Sequence, residues 1–198
     1  MKNSVYIIGE IGQNHNGSVD ISKLIVDTVS RPIKDDLFNR NLKKIDAVKL
    51  TKRDLTEELT TSAMNKPYLS KNSFGKTYGK HRKALELSNE EHYEVYKHAK
   101  SYKIDFVETL TSVGTLSLLK LFIPDKLKVA SRDLTNLPLL NSMAETKIPI
   151  ILSTGMSGVK ELDKALEIIS KHHSDISILH CLSEYPAQYK NLNLLSIS

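Results

Sequence analysis

GEIGQNHNG, at residues 9–17, is the most informative segment of this chain. It follows the apolar run of residues 5–8, which predicts a buried parallel strand, and it precedes a helical pattern that begins near Ser18. A strand that ends in a carboxylate and a polar, glycine-rich loop is typical of the ligand-binding edge of an α/β sheet. Because a carboxylate is almost never buried unpaired, Glu10 indicates a functional site. The structural alternative is that the glycines and asparagines only shape a turn.

The composition predicts one globular domain. The chain has 198 residues, of which 26% are charged and 40% hydrophobic. No apolar run is long enough to cross a bilayer, and Met1 leads almost directly into the first strand, so we expect no membrane segment and no signal peptide. Cys181 is the only cysteine, which excludes an intrachain disulfide and favours a cytoplasmic location.

The net charge of +5 indicates an anionic partner. Nucleic acid is disfavoured, because the lysines are spread along helices and loops, no basic block is interleaved with aromatic residues, and tryptophan is absent. An anionic small substrate suits the charge equally well, so we expect no nucleic-acid partner.

Short apolar runs alternate with amphipathic segments along the chain. The runs predict strands at residues 4–9, 45–50, 104–110, 126–130, 148–153 and 176–182. The amphipathic segments predict helices at residues 19–29, 89–102, 113–121, 136–145 and 158–172. This repeat of six βα units predicts an α/β fold with a parallel sheet. From the pattern alone, an incomplete (β/α)8 barrel and an open, doubly wound sheet fit almost equally well.

Two segments interrupt the alternation. Residues 30–44 are charged and contain Pro32, and residues 52–88 read as one long loop. Loops of that length are usually functional or disordered. The Gly, Tyr, Lys, His and Arg residues of 52–88 favour a binding loop over a tether.

Polar side chains cluster at the predicted carboxyl ends of the strands. Lys49 and Lys128 lie inside otherwise apolar strands, with Thr109, Ser131 and Ser153 at neighbouring strand ends. Ammonium groups and hydroxyls together predict a cradle for a phosphate or a carboxylate. Either lysine alone could instead extend to solvent.

His180 and Cys181 are adjacent but lack the spacing of a metal site, and a cysteine in a buried strand is more often an apolar filler. We therefore predict no metal site from them. His15 either contacts a ligand or pins its own loop.

Four motifs resemble the sialic acid synthase family, which includes N-acetylneuraminate, legionaminate and spore-coat polysaccharide synthases. They are GEIGQNHNG at 9–17, DAVK at 46–49, PIILSTGM at 149–156 and HCLSEYP at 180–186. The resemblance implies a (β/α)8 barrel whose active site lies at the carboxyl ends of the strands. It also implies a transferase that condenses phosphoenolpyruvate with the aldehyde of an N-acylated amino sugar, giving a nonulosonic acid and phosphate.

The resemblance also implies roles for individual residues. Glu10 matches the family's essential carboxylate near the reacting carbon. The residues that match its phosphoenolpyruvate binders are Lys49, Thr109, Lys128, Ser131 and Ser153. The residues at sugar-contacting positions are Asp133, Ser183 and Tyr185. Gln13, Asn14 and His15 are further candidate contacts from the loop after the first strand.

Two positions depart from the family pattern. Thr51 stands where members commonly have glutamine, and Arg132-Asp133 replaces the usual Gly-Glu. Both departures suggest a different sugar or an altered site.

The family's barrel continues through two further strands that supply the ligands of a divalent metal, manganese or magnesium, and an antifreeze-like domain often follows. We therefore expect residues 1–198 to be a partial N-terminal synthase barrel domain with no metal ligand of its own, and the complete enzyme to be a homodimer. The alternative is a non-catalytic remnant or subunit that binds an anionic metabolite or a partner barrel half. A weaker alternative is a sugar-phosphate aldolase or heptulosonate synthase.

Overall fold

The computed structural model describes residues 5–197, and its centre is a six-stranded parallel sheet curled as half a barrel. In sheet order, the strands are β1 (Ile8–Glu10), β4 (Ala47–Lys52), β5 (Asp105–Leu110), β6 (Lys126–Val129), β7 (Ile150–Ser153) and β8 (Ile176–Leu179). Each strand pairs in parallel with the next. The predicted α/β fold with six strands is confirmed.

Four helices cover the convex side of the sheet. They are α1 (Val19–Val29), α5 (Asn89–Ser101), α6 (Leu137–Glu145) and α7 (Val159–Ser170). Side chains fix their first turns: Ser88 and Glu91 form a capping box at α5, and Asn136 caps α6. The predicted helix at 113–121 is instead a 3₁₀ helix, Val113–Lys120. It has no side-chain cap, and Gly114 weakens its first turn.

The first strand is shorter and more exposed than the sequence predicts. Val5, Tyr6 and Ile7 lie outside β1 and are exposed, so the prediction of a buried strand at 5–8 is wrong for these three residues. The reason is that β1 is an edge strand, which among residues 5–197 pairs only with β4. Residue 4 of the predicted strand lies outside the described residues.

The two segments that interrupt the βα alternation are both structured. Residues 30–44 contain an antiparallel hairpin of β2 (Ile33–Asp35) and β3 (Arg40–Leu42). Residues 52–88 do not form one long loop, because they contain α2 (Leu55–Glu58), α3 (Thr61–Asn65) and α4 (Tyr78–Ala84). Each of these short helices has a side-chain N-cap, supplied in turn by Asp54, Thr60 and Thr77.

The alternation of side chains along the strands separates two layers. The main core lies between the sheet and the helices, and it includes Leu50, Phe106, Leu127 and Leu152. The concave face holds a smaller apolar cluster of Ala47, Val107 and Ile151, with Ile8 and Leu179 packed against it.

The same concave face becomes polar toward the carboxyl ends of the strands. The strands β1, β4, β5 and β7 each carry a polar residue two positions after a residue of this apolar cluster or of its packed neighbours. Because every second side chain of a strand points to the same face, these residues also lie on the concave face: Glu10, Lys49, Thr109 and Ser153. The strand register therefore places these four residues, here named the polar layer, next to the small apolar cluster, here named the apolar floor.

None of the helices formed by residues 5–197 combines the length and the apolar character that crossing a membrane requires.

Candidate functional site

Lys49 is the centre of the polar layer. Its side chain is 7% exposed, and its Nζ lies 2.6 Å from Glu10 Oε2 and donates to Thr109 Oγ1 at 2.9 Å. Glu10 pairs with Lys49 in the β1–β4 register, while its own side chain is 55% exposed. The buried Lys49 ammonium therefore fixes the position of the Glu10 carboxylate, while the exposed part of that carboxylate stays accessible to a ligand.

Lys128 provides a second cation beside this group. It is paired in register with Thr109 on β5 and with Ile151 on β7. Burial, and then the neighbouring Lys49 ammonium, lower the pKa of Lys128 below its ordinary value. Within residues 5–197 no carboxylate forms an ion pair with it, so its charge is available to an anion.

Hydroxyl groups from the end of β7 and from the segments after β6 and β8 complete this side of the site. Ser153 is buried, and its Oγ receives no hydrogen bond from the described residues. The Gly155 N–H donates to Ser131 Oγ at 3.2 Å. Ser183 is also close, since a β-carbon added to Gly155 would lie 2.8 Å from its Oγ. A buried hydroxyl without a partner is costly, so Ser153 fits a position that a bound ligand would satisfy.

Asp133 belongs to a charged network at the outer rim. Its Oδ2 accepts from Arg132 Nε at 3.3 Å, and Arg132 also donates to Glu58 Oε2 at 2.6 Å. Burial raises the pKa of Asp133, and the Arg132 charge opposes that shift. Arg53 Nη1 donates to the same Glu58 oxygen, Oε2, at 3.2 Å. Two guanidinium groups therefore hold one carboxylate, and Arg132 ties it to Asp133.

The same network lines an open groove of about 360 Å³. Besides Glu58, Arg132 and Asp133, the groove contacts Thr111 and Ser112. Ser112 is buried, and its Oγ has no hydrogen-bond partner among residues 5–197. A larger groove of about 570 Å³ lies against β8, and its lining includes Thr154 and Gly155, which follow Ser153.

The loop after β1 is held by its own backbone and by α4. Gln13 Oε1 accepts from Arg82 at 2.8 Å, and Asn14 is exposed. His15 is buried, its Nδ1 accepts from the Gly17 N–H at 3.0 Å, and burial lowers its pKa. This contact favours the interpretation that His15 pins the loop.

Tyr185 differs from the other predicted contacts because it is 98% exposed. Three charged groups of the outer rim carry no role in the sequence-based site: Arg53, Glu58 and Arg82. The basic composition of residues 52–88 was the available signal for the two arginines, whereas nothing in the sequence distinguishes Glu58 from other surface acids.

The family resemblance implies a divalent metal ion, which would need several oxygen or nitrogen donors grouped in one place. In the part of the chain that the structure describes, no three His, Cys, Asp or Glu side chains are grouped to hold a metal ion. The carboxylate of the polar layer, Glu10, already forms an ion pair with Lys49. The described residues alone therefore do not fit a metal site.

Residues 41–198 match the NeuB family. The chain belongs to this family. Among curated relatives, N-acetylneuraminate-9-phosphate synthase of Drosophila melanogaster is 32% identical over 98% of this chain and 50% of the relative. N,N'-diacetyllegionaminic acid synthase of Legionella pneumophila is 31% identical over 96% of this chain and 52% of the relative. The chain thus spans about half the length of the curated relatives it matches.

Solved structures give the same family and fold. The N-acetylneuraminic acid (sialic acid) synthetase of Leptospira borgpetersenii superposes with a TM-score of 0.78 at 27% identity, covering 98% of this chain and 60% of that one. The phospho-2-dehydro-3-deoxyheptonate aldolase of Thermotoga maritima has a TM-score of 0.59 at 14% identity, which shows the fold alone. The predicted resemblance to the sialic acid synthase family and the incomplete barrel of six strands are confirmed.

Proposed function

We propose that this chain provides the anion-binding side of a sialic-acid-synthase-type site, at which phosphoenolpyruvate is joined to the aldehyde of an N-acylated amino sugar. The observation that supports it is the buried Lys49 ammonium, which contacts Glu10 and Thr109 next to Lys128, a cation that forms no ion pair with any described residue. Two cations in a partly buried, polar layer suit a small ligand with a phosphate and a carboxylate.

Each member of the polar layer has a chemical role in this proposal. Lys49 and Lys128 neutralise the phosphate and carboxylate of phosphoenolpyruvate, and three hydroxyls donate hydrogen bonds to the same groups. These hydroxyls belong to Thr109, Ser131 and Ser153. Fixed donors at the positions where charge resides would also stabilise the charge that develops during reaction.

The proposed reaction forms one carbon–carbon bond. The methylene carbon of phosphoenolpyruvate attacks the aldehyde carbon of the sugar, and the aldehyde oxygen takes up a proton. Water adds to the neighbouring carbon, and phosphate leaves from it. In this proposal Glu10, whose side chain is 55% exposed, acts near the reacting carbon and exchanges a proton there.

The sugar would occupy the outer rim. Asp133 is proposed to accept hydrogen bonds from sugar hydroxyls, with Ser183 and Tyr185 as further contacts and Gln13 and Asn14 in the facing loop. The relatives named above as N-acetylneuraminate-9-phosphate and N,N'-diacetyllegionaminic acid synthases support an amino-sugar substrate. The divalent metal, the homodimer and the cytoplasmic location remain predictions for the complete enzyme.

Calorimetric titration of the chain with phosphoenolpyruvate tests the proposal. We expect one binding site, weakened about tenfold or more in Lys49→Gln and in Lys128→Gln, because each loses a charged hydrogen bond. Lys164→Gln, which removes an exposed lysine of α7, is the matched control and should bind like the unmodified chain. Failure of the folded chain to bind phosphoenolpyruvate would contradict the proposal.

Phosphate release separates the two interpretations of this site. The chain is incubated with phosphoenolpyruvate, manganese and a series of N-acylated hexosamines, and free phosphate is measured. Release that depends on the sugar supports the synthase. Because the described residues alone do not fit a metal site, binding without release favours the alternative of a non-catalytic subunit only if it persists after the C-terminal half of a family barrel has been added.

A further inference from the structure

Asp133 has one carboxylate oxygen held by a cation and one that is free to accept from a ligand. Its Oδ2 accepts from Arg132 Nε at 3.3 Å, whereas Oδ1 accepts no hydrogen bond from any of residues 5–197. Asp133 lines the groove of about 360 Å³ at the outer rim. Ser112 lines the same groove, is 7% exposed, and has an Oγ without a partner among those residues. A free carboxylate oxygen and a buried, unsatisfied hydroxyl in one groove indicate a ligand that forms hydrogen bonds.

The short turn that carries Asp133 does not itself fix the direction of this side chain. Asp133 ends a three-residue 3₁₀ helix, Ser131–Asp133, which has no side-chain cap. The Asp133 N–H donates to the Ala130 carbonyl at 2.9 Å, and the Asp133 carbonyl accepts from the Asn136 N–H at 3.0 Å. These bonds fix the main chain and leave the side-chain torsions free. Among residues 5–197, the side chain that holds the carboxylate is therefore Arg132.

Arg132 is in turn held by a buried carboxylate. Its Nη2 donates to Glu58 Oε2 at 2.6 Å, and the Glu58 side chain is 8% exposed. Glu58 ends α2, and its Oε1 accepts from the hydroxyl of Thr111, the residue that follows β5. The same hydroxyl lies 3.1 Å from the Lys52 carbonyl at the end of β4. Hydrogen bonds thus connect the sheet edge to Asp133 through four residues, here named the rim network: Thr111, Glu58, Arg132 and Asp133.

Burial of Asp133 works against its charged form. Burial raises the pKa of this carboxyl, the charge and hydrogen bond of Arg132 oppose that shift, and the smaller effects of Glu58 and Arg53 have opposite signs. The Lys128 ammonium also interacts electrostatically with Asp133. An ionised carboxylate accepts at both oxygens, whereas a protonated one uses an oxygen as a donor. The Arg132 contact therefore favours an Asp133 that accepts hydrogen bonds from a ligand.

We propose that Arg132 is a positioning residue for Asp133 and that Glu58 holds Arg132 in place, so that the groove selects a ligand group that donates hydrogen bonds. This inference rests on the proposed function, in which Asp133 accepts from sugar hydroxyls. A guanidinium suits the task because its donors have fixed directions, so that one side chain binds both carboxylates. In the simpler interpretation Arg132 only joins α2 to the turn after β6. Its removal would then lower stability without changing how Asp133 titrates.

Carboxyl NMR titration of the chain with isotopically labelled aspartate tests the effect of Arg132 on Asp133. Asp133→Asn identifies the Asp133 signal by its loss. We expect the titration of that signal to shift to higher pH in Arg132→Gln, because the cation that opposes burial is removed. Arg31→Gln, which removes an exposed arginine after α1, is the matched control and should leave the signal unchanged.

Calorimetry tests the effect on the ligand. Each variant is titrated with N-acetylmannosamine in saturating phosphoenolpyruvate at several pH values. Affinity should fall as the pH drops through the pKa of Asp133, because protonation removes an acceptor. In Arg132→Gln that fall should begin at a higher pH, and Arg132→Gln and Glu58→Gln should each bind the sugar about tenfold more weakly at neutral pH. Arg132→Lys should restore part of the affinity, since it keeps the charge but not the fork of donors.

An Asp133 signal that titrates alike in Arg132→Gln and in the unmodified chain would overturn the inference. Sugar binding by Arg132→Gln with unchanged affinity and unchanged pH dependence would also overturn it. The NMR titration needs no ligand and decides by itself whether Arg132 acts on Asp133. A folded chain that binds neither phosphoenolpyruvate nor the sugar therefore counts only against the proposed function.

Discussion

A buried histidine–carboxylate contact on the core side of the sheet gives the sharpest test of the structure. His92 on α5 and Glu108 on β5 are 2% and 0% exposed, and His92 Nδ1 lies 3.0 Å from Glu108 Oε2. The other carboxylate oxygen of Glu108 has no hydrogen-bond partner among the described residues. The perturbation is His92→Leu, which removes the hydrogen-bond partner that the Glu108 carboxylate has among residues 5–197 and leaves it in an apolar layer.

The expected cost follows from the burial of both groups. Removing one partner of a buried pair costs about 3–5 kcal/mol, because the remaining charge is left uncompensated. Unfolding free energies of single domains are about 5–15 kcal/mol, so this one change should remove a large part of the total. Replacing both residues with leucine should recover most of the loss, since an apolar pair of similar volume is often neutral or stabilising by about 1–4 kcal/mol.

Urea unfolding followed by circular dichroism measures these differences in a double-mutant cycle of His92→Leu, Glu108→Leu and the double variant. The control is His98→Leu, because His98 pairs with Asp27 at 2.7 Å with side chains 28% and 35% exposed. That exposed pair should contribute less than about 1 kcal/mol. A loss in His92→Leu no larger than in the control, or a double variant as unstable as the sum of its parts, would refute the reasoning.

Three further predictions concern the site and its loops. Phosphoenolpyruvate affinity should fall as the pH rises through the lowered pKa of Lys128, and calorimetry across pH should show no such fall in Lys128→Arg, which stays charged. Burial alone would raise the pKa of Glu58, but the hydrogen bonds from Thr111 and Arg132 outweigh burial, so the pKa is lowered. The stability that Glu58 provides is therefore present above its ordinary pKa of 4.5 and is lost as the pH falls below it, so acid titration of Glu58→Gln should show a shallower loss. Gly17→Ala should lower the melting temperature by several degrees, because Gly17 has a φ of +75° and faces the Ala84 carbonyl, whereas Gly158→Ala should change it less.

The sheet and the long helices could be predicted from the sequence, because they depend on regular patterns. Apolar runs identified the six strands, and the capping signal at Ser88 and Glu91 fixed the start of α5. The elements within residues 30–44 and 52–88 were missed because they are short. A four-residue helix such as Leu55–Glu58 has no apolar periodicity and depends on one capping side chain, Asp54.

The candidate site divides in the same way. The polar residues toward the carboxyl ends of the strands predicted that Glu10, Lys49 and Thr109 lie together, and the register of the parallel strands places them on one face. The contacts of the outer rim join residues far apart in the chain. Arg82 and Gln13 are 69 positions apart, and Arg132 and Glu58 are 74 apart. No local pattern predicts such pairs, because they follow from how the loops pack.

The register of β5 against β4 determines which side chains reach the apolar floor and which reach the polar layer. Binding of an anion at Lys49 therefore depends on that register. Thr109 and Glu108 are consecutive, yet one side chain meets Lys49 and the other is enclosed beneath α5. A shift of β5 by a single position would exchange them, because neighbouring side chains on a strand point to opposite faces. The concave face would then receive a second carboxylate beside Glu10 and would repel the anions it otherwise attracts. Insertions or deletions within this strand should therefore abolish ligand binding even where the barrel wall still assembles.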